Sequence, residues 1–158
     1  MVHDIDIVLG LLGKEPDEVD AVGQAVMTRH EDVATAILQF PDGCVANLTA
    51  SRVTNEKIRT LAISQKDAYI FLDYNRQGID IFRQVNTGYN LQREEIRYSV
   101  ETNVERVFVH NVNPLQQELR HFVECVQGKT TPLVNGESDI RTLRLTRRAI
   151  ARTKTILA

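Results

Sequence analysis

His3-Asp4-Ile5-Asp6, at the head of this 158-residue sequence, is the grouping most able to do chemistry. An imidazole titrates close to neutrality, so it can take the proton of a hydroxyl while the carbon beneath loses hydride. A neighbouring carboxylate would orient the ring and stabilise its cation. The same residues also read as an exposed terminal histidine, with two acids favouring the start of a helix. Residue types alone leave both readings open.

The other chemical groups are less suggestive. His30 lies in the polar turn Thr28-Arg29-His30-Glu31-Asp32, and His110 and His121 have no partner at metal-ligand spacing. All three read as structural or surface residues. Cys44 and Cys125 are too few and too far apart for a disulfide framework or a zinc site, so no metal site is expected. Arg141, Arg144, Arg148 and Arg152 recur at helical spacing. That stripe suits a phosphate or an acidic partner, or simply a solvated face. Tyr69 and Phe71 sit on or near the less apolar face of a hairpin, where a subunit interface or a broader core would both use them. G-x-G-x-x-G, Walker A, G-x-S-x-G and H-E-x-x-H patterns are all missing. No residue is therefore assigned to cofactor binding.

These groups must be positioned by regular elements. Ile5, Val8, Leu9 and Leu12 recur at helical spacing, and Gly13 with Pro16 provides a stop. A strand is expected over 18–27. Two more, Val33 to Phe40 and Cys44 to Val53, flank the turn Pro41-Asp42-Gly43. Setting Phe40 opposite Cys44 brings Leu38 to Ala46, Ala36 to Leu48 and Ala34 to Ala50, all on one face. The other face is semi-polar: Val33, Thr35, Ile37 and Gln39 with Val45, Asn47, Thr49 and Ser51.

A second hairpin joins Ile58–Gln65 to Ala68–Tyr74 through Lys66-Asp67, pairing Ile63 with Ile70 and Leu61 with Leu72. Further strands are expected over about 79–84 and 94–109, the latter with Ile96, Tyr98, Val100, Thr102 and Val104 on one face. Asn113 and Pro114 open a helix with the stripe Leu115, Leu119, Phe122, Val123 and Val126, ended by Gly128. A last helix is expected from near 137–139 to about Leu157, with Ile140, Leu143 and Ile150 facing inward. The sum is an α+β domain: an open, mostly antiparallel sheet of about six or seven strands with helices on one face.

Composition agrees with one soluble globular domain, at 42% apolar and 25% charged residues. A net charge of −2 gives no electrostatic reason to expect nucleic acid or an anionic membrane as partner. No apolar run approaches the roughly 20 residues that span a bilayer, and no basic-then-apolar leader is visible. A cytoplasmic setting with reduced thiols is the expectation.

Several stretches together carry a family resemblance. They are His3-Asp4-Ile5-Asp6 leading into Leu11-Leu12-Gly13, residues 31–40, residues 43–52, and Pro114-Leu115 with Glu118-Leu119 and Phe122-Val123. In order and spacing the chain resembles the C-terminal domain of the GFO/IDH/MocA (glucose–fructose oxidoreductase / inositol dehydrogenase / rhizopine catabolism) oxidoreductases. The resemblance implies that residues 1–158 form a single substrate and oligomerisation domain. It also implies a full-length parent whose N-terminal Rossmann domain is not in this sequence. In that parent NAD or NADP would exchange hydride with a sugar, inositol or nucleotide-sugar hydroxyl, and His3 would match the histidine that ends the family's D-x-x-x-H pattern. The aspartate of that pattern and the family's E-K-P lysine segment are missing here. The chain alone is then expected to be inactive and to bind no cofactor. The resemblance further implies a homodimer or homotetramer built through the sheet face. The alternative is a stand-alone, non-catalytic binding or oligomerisation module using that face.

Overall fold

The computed structural model describes residues 1–85, 101–108 and 112–156. The chain divides into two compact units, one of Met1–Asn55 with Phe122–Ala158 and the other of Glu56–His121. The expected strand residues Ile96, Tyr98 and Val100, and His110, lie outside the described residues.

The first unit begins with α1 (Val2–Leu12), whose Ile5, Val8 and Leu9 are buried. Gly13 ends the helix at φ 67°, and its N–H donates to the Leu9 carbonyl at 2.9 Å. A left-handed residue there closes the last turn at no Cβ cost. β1 (Glu18–Gln24), β2 (Val33–Gln39) and β3 (Val45–Ser51) then form an antiparallel meander. The register expected from the sequence is the one observed: Ala34 faces Ala50, Ala36 faces Leu48, and Leu38 faces Ala46. The Phe40 N–H bonds the Cys44 carbonyl at 2.9 Å across the Pro41-Asp42-Gly43 turn, where Gly43 has φ 82°. Alternation puts Val19, Ala21, Ala36, Leu38 and Leu48 on the buried face, which packs with Ile5, Val8, Leu9, Phe40, Leu145 and Ala149.

α3 (Gly136–Arg152) starts at Asn135, whose side chain accepts from the N–H groups of Glu137 and Ser138 while the Ser138 hydroxyl accepts the Asn135 N–H. Two expectations for this helix are corrected. Ile140, Leu143 and Ile150 are exposed, and Thr142, Leu145 and Ala149 are the buried residues. Those two sets lie on nearly opposite sides of the helix. The sheet and α1 admit the narrower side, because close approach to an alanine-lined face leaves little room for bulky side chains. The helix also stops at Arg152 rather than near 157. Thr153–Ile156 leaves it as β8, pairing parallel to β1. β-branched residues favour that pairing, and it satisfies an open strand edge.

The second unit carries β4 (Thr60–Ser64), β5 (Ala68–Asp73), β6 (Gly78–Val85) and β7 (Glu101–Phe108), all antiparallel neighbours. Leu61 faces Leu72 and Ile63 faces Ile70, as expected. The α+β class and the antiparallel pairing therefore match the sequence reading. Among the described residues, however, the strands are eight and fall into two four-stranded sheets, β3-β2-β1-β8 and β4-β5-β6-β7. The polar stretch between Ser51 and Thr60 has no ladder partner to join them. None of the described residues of the second unit is fully buried. The boundary between the units falls within α2 (Pro114–Val126), whose stripe Leu115, Leu119, Phe122, Val123 and Val126 forms as expected but is exposed.

Candidate functional site

His3 sits in the first turn of α1 with its side chain exposed. No described residue makes a hydrogen bond or ion pair with it. The acids beside it are engaged elsewhere: Asp4 pairs with the Met1 ammonium at 2.9 Å, and Asp6 accepts from the Thr142 hydroxyl at 2.8 Å. The latter bond ties the helix that carries His3 to α3. The imidazole is therefore set on a fixed helix yet open to a reactant.

A cleft of about 500 Å³ opens at the same end of α1. Met1 and Ile5 form one wall, and Thr146, Ala149, Ile150 and Thr153 of α3 and β8 form another. Its floor is the core face of the sheet at Ala21, Ala34 and Ala50. The reason for the space is local sequence. Val19, Leu38, Phe40 and Leu48 fill the other end of this face, whereas alanines and Gly23 occupy this end. Gly23 is required: a Cβ there would stand 2.5 Å from Glu31 Cγ and 2.9 Å from Thr153 Cγ2. The polar lining is Glu31, Asp32, Thr35, Ser51 and Arg52.

Asp32 organises that lining. Its side chain is wholly buried, and one carboxylate oxygen accepts the backbone N–H groups of Val26, Met27 and Thr28 at 2.9, 2.7 and 2.8 Å. The other accepts the Thr28 hydroxyl at 2.9 Å. The N–H groups of Thr28 and Met27 are the leading reason that this carboxyl is held well below the usual carboxylate range, against the opposing effect of burial. Arg52 is fastened to the same residue. Its backbone N–H donates to the Asp32 carbonyl at 2.9 Å, and its Nε lies 3.8 Å from Oδ1. The Arg52 side chain is 65% exposed, and no described residue accepts from its two terminal nitrogens.

The remaining candidates scatter. Arg141 pairs with Glu15 at 2.8 Å, and Arg148 donates to the carbonyls of Pro16 and Asp17. The arginine stripe is thus partly spent on holding the α1–β1 connection. His30 lies in the loop that Asp32 ties down, and His121 lies on α2. Asn47 is on the outer face of β3, away from the cleft. Tyr74 follows β5 in the second unit, where Tyr69 packs against Phe82 with ring centroids 5.8 Å apart. Arg52 lines the cleft. Asp32 was not singled out. Its one visible signal was an acid closing the polar run Thr28–Glu31 just before a strand, a position suited to side-chain acceptance of turn N–H groups.

Among the described residues no group of three or more His, Cys, Asp or Glu is placed to hold a metal ion, and no helix is long and apolar enough to cross a membrane. Nor do they offer a glycine-rich strand-to-helix turn, so a dinucleotide pyrophosphate has no such cradle here.

Residues 1–70 match the family described as GFO/IDH/MocA C-terminal domain. Over 84 residues, 53% of this chain, the sequence is 42% identical to the UDP-N-acetylglucosamine 3-dehydrogenase of Acidithiobacillus ferrooxidans, covering 27% of that protein. The solved structure of that organism's enzyme, GnnA, superposes on 97% of this chain with a TM-score of 0.81 at 28% identity, and 45% of it is covered. The fold is also that of the WlbA dehydrogenase from Bordetella pertussis, solved with NADH and UDP-GlcNAcA. There the TM-score is 0.62 at 16% identity, over 96% of this chain and 40% of that one. The chain thus spans less than half the length of these relatives.

Proposed function

With residues 1–70 belonging to the GFO/IDH/MocA C-terminal domain family, we propose that this chain is the C-terminal substrate-binding and oligomerisation domain of an NAD(P)-dependent oxidoreductase. Its substrate would be a sugar, inositol or nucleotide-sugar hydroxyl. The observation that carries this reading is the 42% identity over 84 residues to a UDP-N-acetylglucosamine 3-dehydrogenase, on a fold that superposes over nearly the whole chain.

His3 is the proton acceptor in this proposal. A neutral imidazole on a fixed helix turn takes the hydroxyl proton as the carbinol carbon is oxidised to a ketone, and returns it in the reverse direction. In this proposal redox chemistry belongs to NAD or NADP bound by the full-length parent, as the solved relative holding NADH supports. The outer face of β1–β3 supports the oligomerisation role. It presents Val22, Ile37 and Val45 to solvent among polar neighbours, an open sheet face suited to a second copy. The setting is cytoplasmic.

The test is to express the longest reading frame that contains this sequence and follow reduction of NAD and NADP with UDP-N-acetylglucosamine and with free sugars. Turnover that disappears on changing His3→Asn supports the proposal. A purified full-length protein with no NAD(P)-dependent turnover on any such hydroxyl overturns it. Light scattering on the same protein should show a dimer or tetramer, and a strict monomer removes the oligomerisation role.

A further inference from the structure

We propose that Asn135-Gly136, at the head of α3, is a site of spontaneous deamidation gated by the cap that Asn135 itself forms. This chemistry belongs to the chain alone and is independent of the dehydrogenase reading.

The reactive element is the peptide bond between the two residues. Asn135 is the only asparagine of the sequence that is followed by glycine. Without a Cβ, Gly136 lets its backbone nitrogen approach the neighbouring side chain with little steric resistance. Both residues are exposed to water, and a Cβ built on Gly136 would meet nothing within 4 Å. The Gly136 N–H is the first of the helix, where no intrahelical acceptor exists, and no described residue accepts from it. Loss of that proton to solvent base makes the nitrogen a nucleophile. It bonds to Asn135 Cγ and closes a five-membered imide. The Cγ–Nδ2 bond breaks, and ammonia leaves with a proton equivalent to the one Gly136 lost. Water then opens the imide at one of its two carbonyls, giving aspartate or isoaspartate. One water is consumed, one ammonia is released, and no redox change occurs.

The cap controls access to this reaction. Asn135 Oδ1 accepts the Glu137 and Ser138 N–H groups at 3.1 and 3.0 Å, which fixes the side-chain amide. Asn135 has ψ 167°, and its backbone must rotate before the Gly136 nitrogen reaches Cγ. Ser138 resists that rotation from both sides of the residue. Its Oγ accepts the Asn135 N–H at 3.2 Å and donates to the Asn135 carbonyl at 2.7 Å. Ring closure therefore follows opening of the first helical turn, a local event at an exposed helix end. The two products then differ. Aspartate is as good a cap as asparagine, and its charge suits a helix N-terminus already carrying Glu137 and Asp139. Isoaspartate lengthens the main chain by one carbon, so the same cap cannot re-form.

The experiment incubates the full chain at mildly alkaline pH and follows its peptides by mass spectrometry, in ordinary and in ¹⁸O-labelled water. The peptide holding Asn135 should gain one mass unit, with two more in labelled water, and should contain isoaspartate. Gly136→Ala, which fits the space and favours the helix, should abolish the change. Ser138→Ala should speed it about fivefold, the factor by which losing a cap bond populates the open turn. An Asn135 peptide that keeps its mass overturns the proposal, as does equal loss at the other asparagines. A Ser138→Ala protein that reacts no faster overturns the gating.

Discussion

The hydroxyl of Thr142 donates to Asp6 Oδ1 at 2.8 Å, joining two residues 136 positions apart and locking α3 onto α1. Thr142 is itself buried, at 5% exposure, and Asp6 is half-buried. Hydrogen bonds to charged groups contribute about 1.5–3 kcal/mol. Thr142→Val keeps the shape and removes the donor. It should cost about 1–3 kcal/mol in urea denaturation, and a variant as stable as the parent would show the bond to be idle.

Adjacent residues on β2 should respond very differently. Leu38 is fully buried against the core and Ile37 points to the outer face. Leu38→Ala should cost about 2–5 kcal/mol, the range for emptying a packed site. Ile37→Ala should cost clearly less, about 1 kcal/mol at most, the span of strand propensities. Equal losses would refute the face assignment.

The two glycines that flank the first core make a second contrast. Gly23→Ala forces a Cβ against the Thr153 methyl and the Glu31 side chain, and should destabilise by about 1–3 kcal/mol. Gly10→Ala on α1 meets nothing within 4 Å and should stabilise by about 0.5–1 kcal/mol through helix propensity. Thermal melts of both variants give the signs directly.

Asp32 makes stability depend on acid. Its folded carboxyl is held below the ordinary 3.8 by the Thr28 and Met27 N–H groups. A lowered folded value means stability that is present above 3.8 and lost as pH falls from there toward the folded value. Asp32→Asn should therefore be less stable than the parent at neutral pH, with the gap narrowing only below about pH 4. A gap that stays constant from pH 7 to pH 2 would contradict the arrangement.

His3 should matter for turnover and not for folding. In the full-length parent, His3→Asn should lower kcat by about 10²–10⁴-fold, the usual contribution of a positioned acid–base group. The exposed ring has no described partner, so the melting temperature should hold. A variant that turns over normally would remove His3 from the chemistry.

Much of the first sheet was legible in the sequence. Pro41-Asp42-Gly43 set a tight turn, and alternation then dictated every partner from Ala34–Ala50 to Leu38–Ala46. Hairpins are local, so turn chemistry and period two suffice for their register. Lys66-Asp67 specified the second hairpin in the same way.

What the tertiary structure alone decided is whatever depended on distant partners. α3 has apolar residues on both sides, and only α1 and the alanine face of the sheet select Leu145 and Ala149 over Leu143 and Ile150. The open edge of β1 draws Thr153–Ile156 out of the helical pattern into a parallel strand. Asp32 gains its role because a loop folds its own N–H groups back onto one carboxylate, and Arg52 reaches that carboxylate from the end of another strand. Sequence by itself determined the elements and the local register, since propensity and periodicity act over a few residues. The cleft, its charge and the seat of His3 came from packing, because burial and electrostatics act between groups that only the fold brings together.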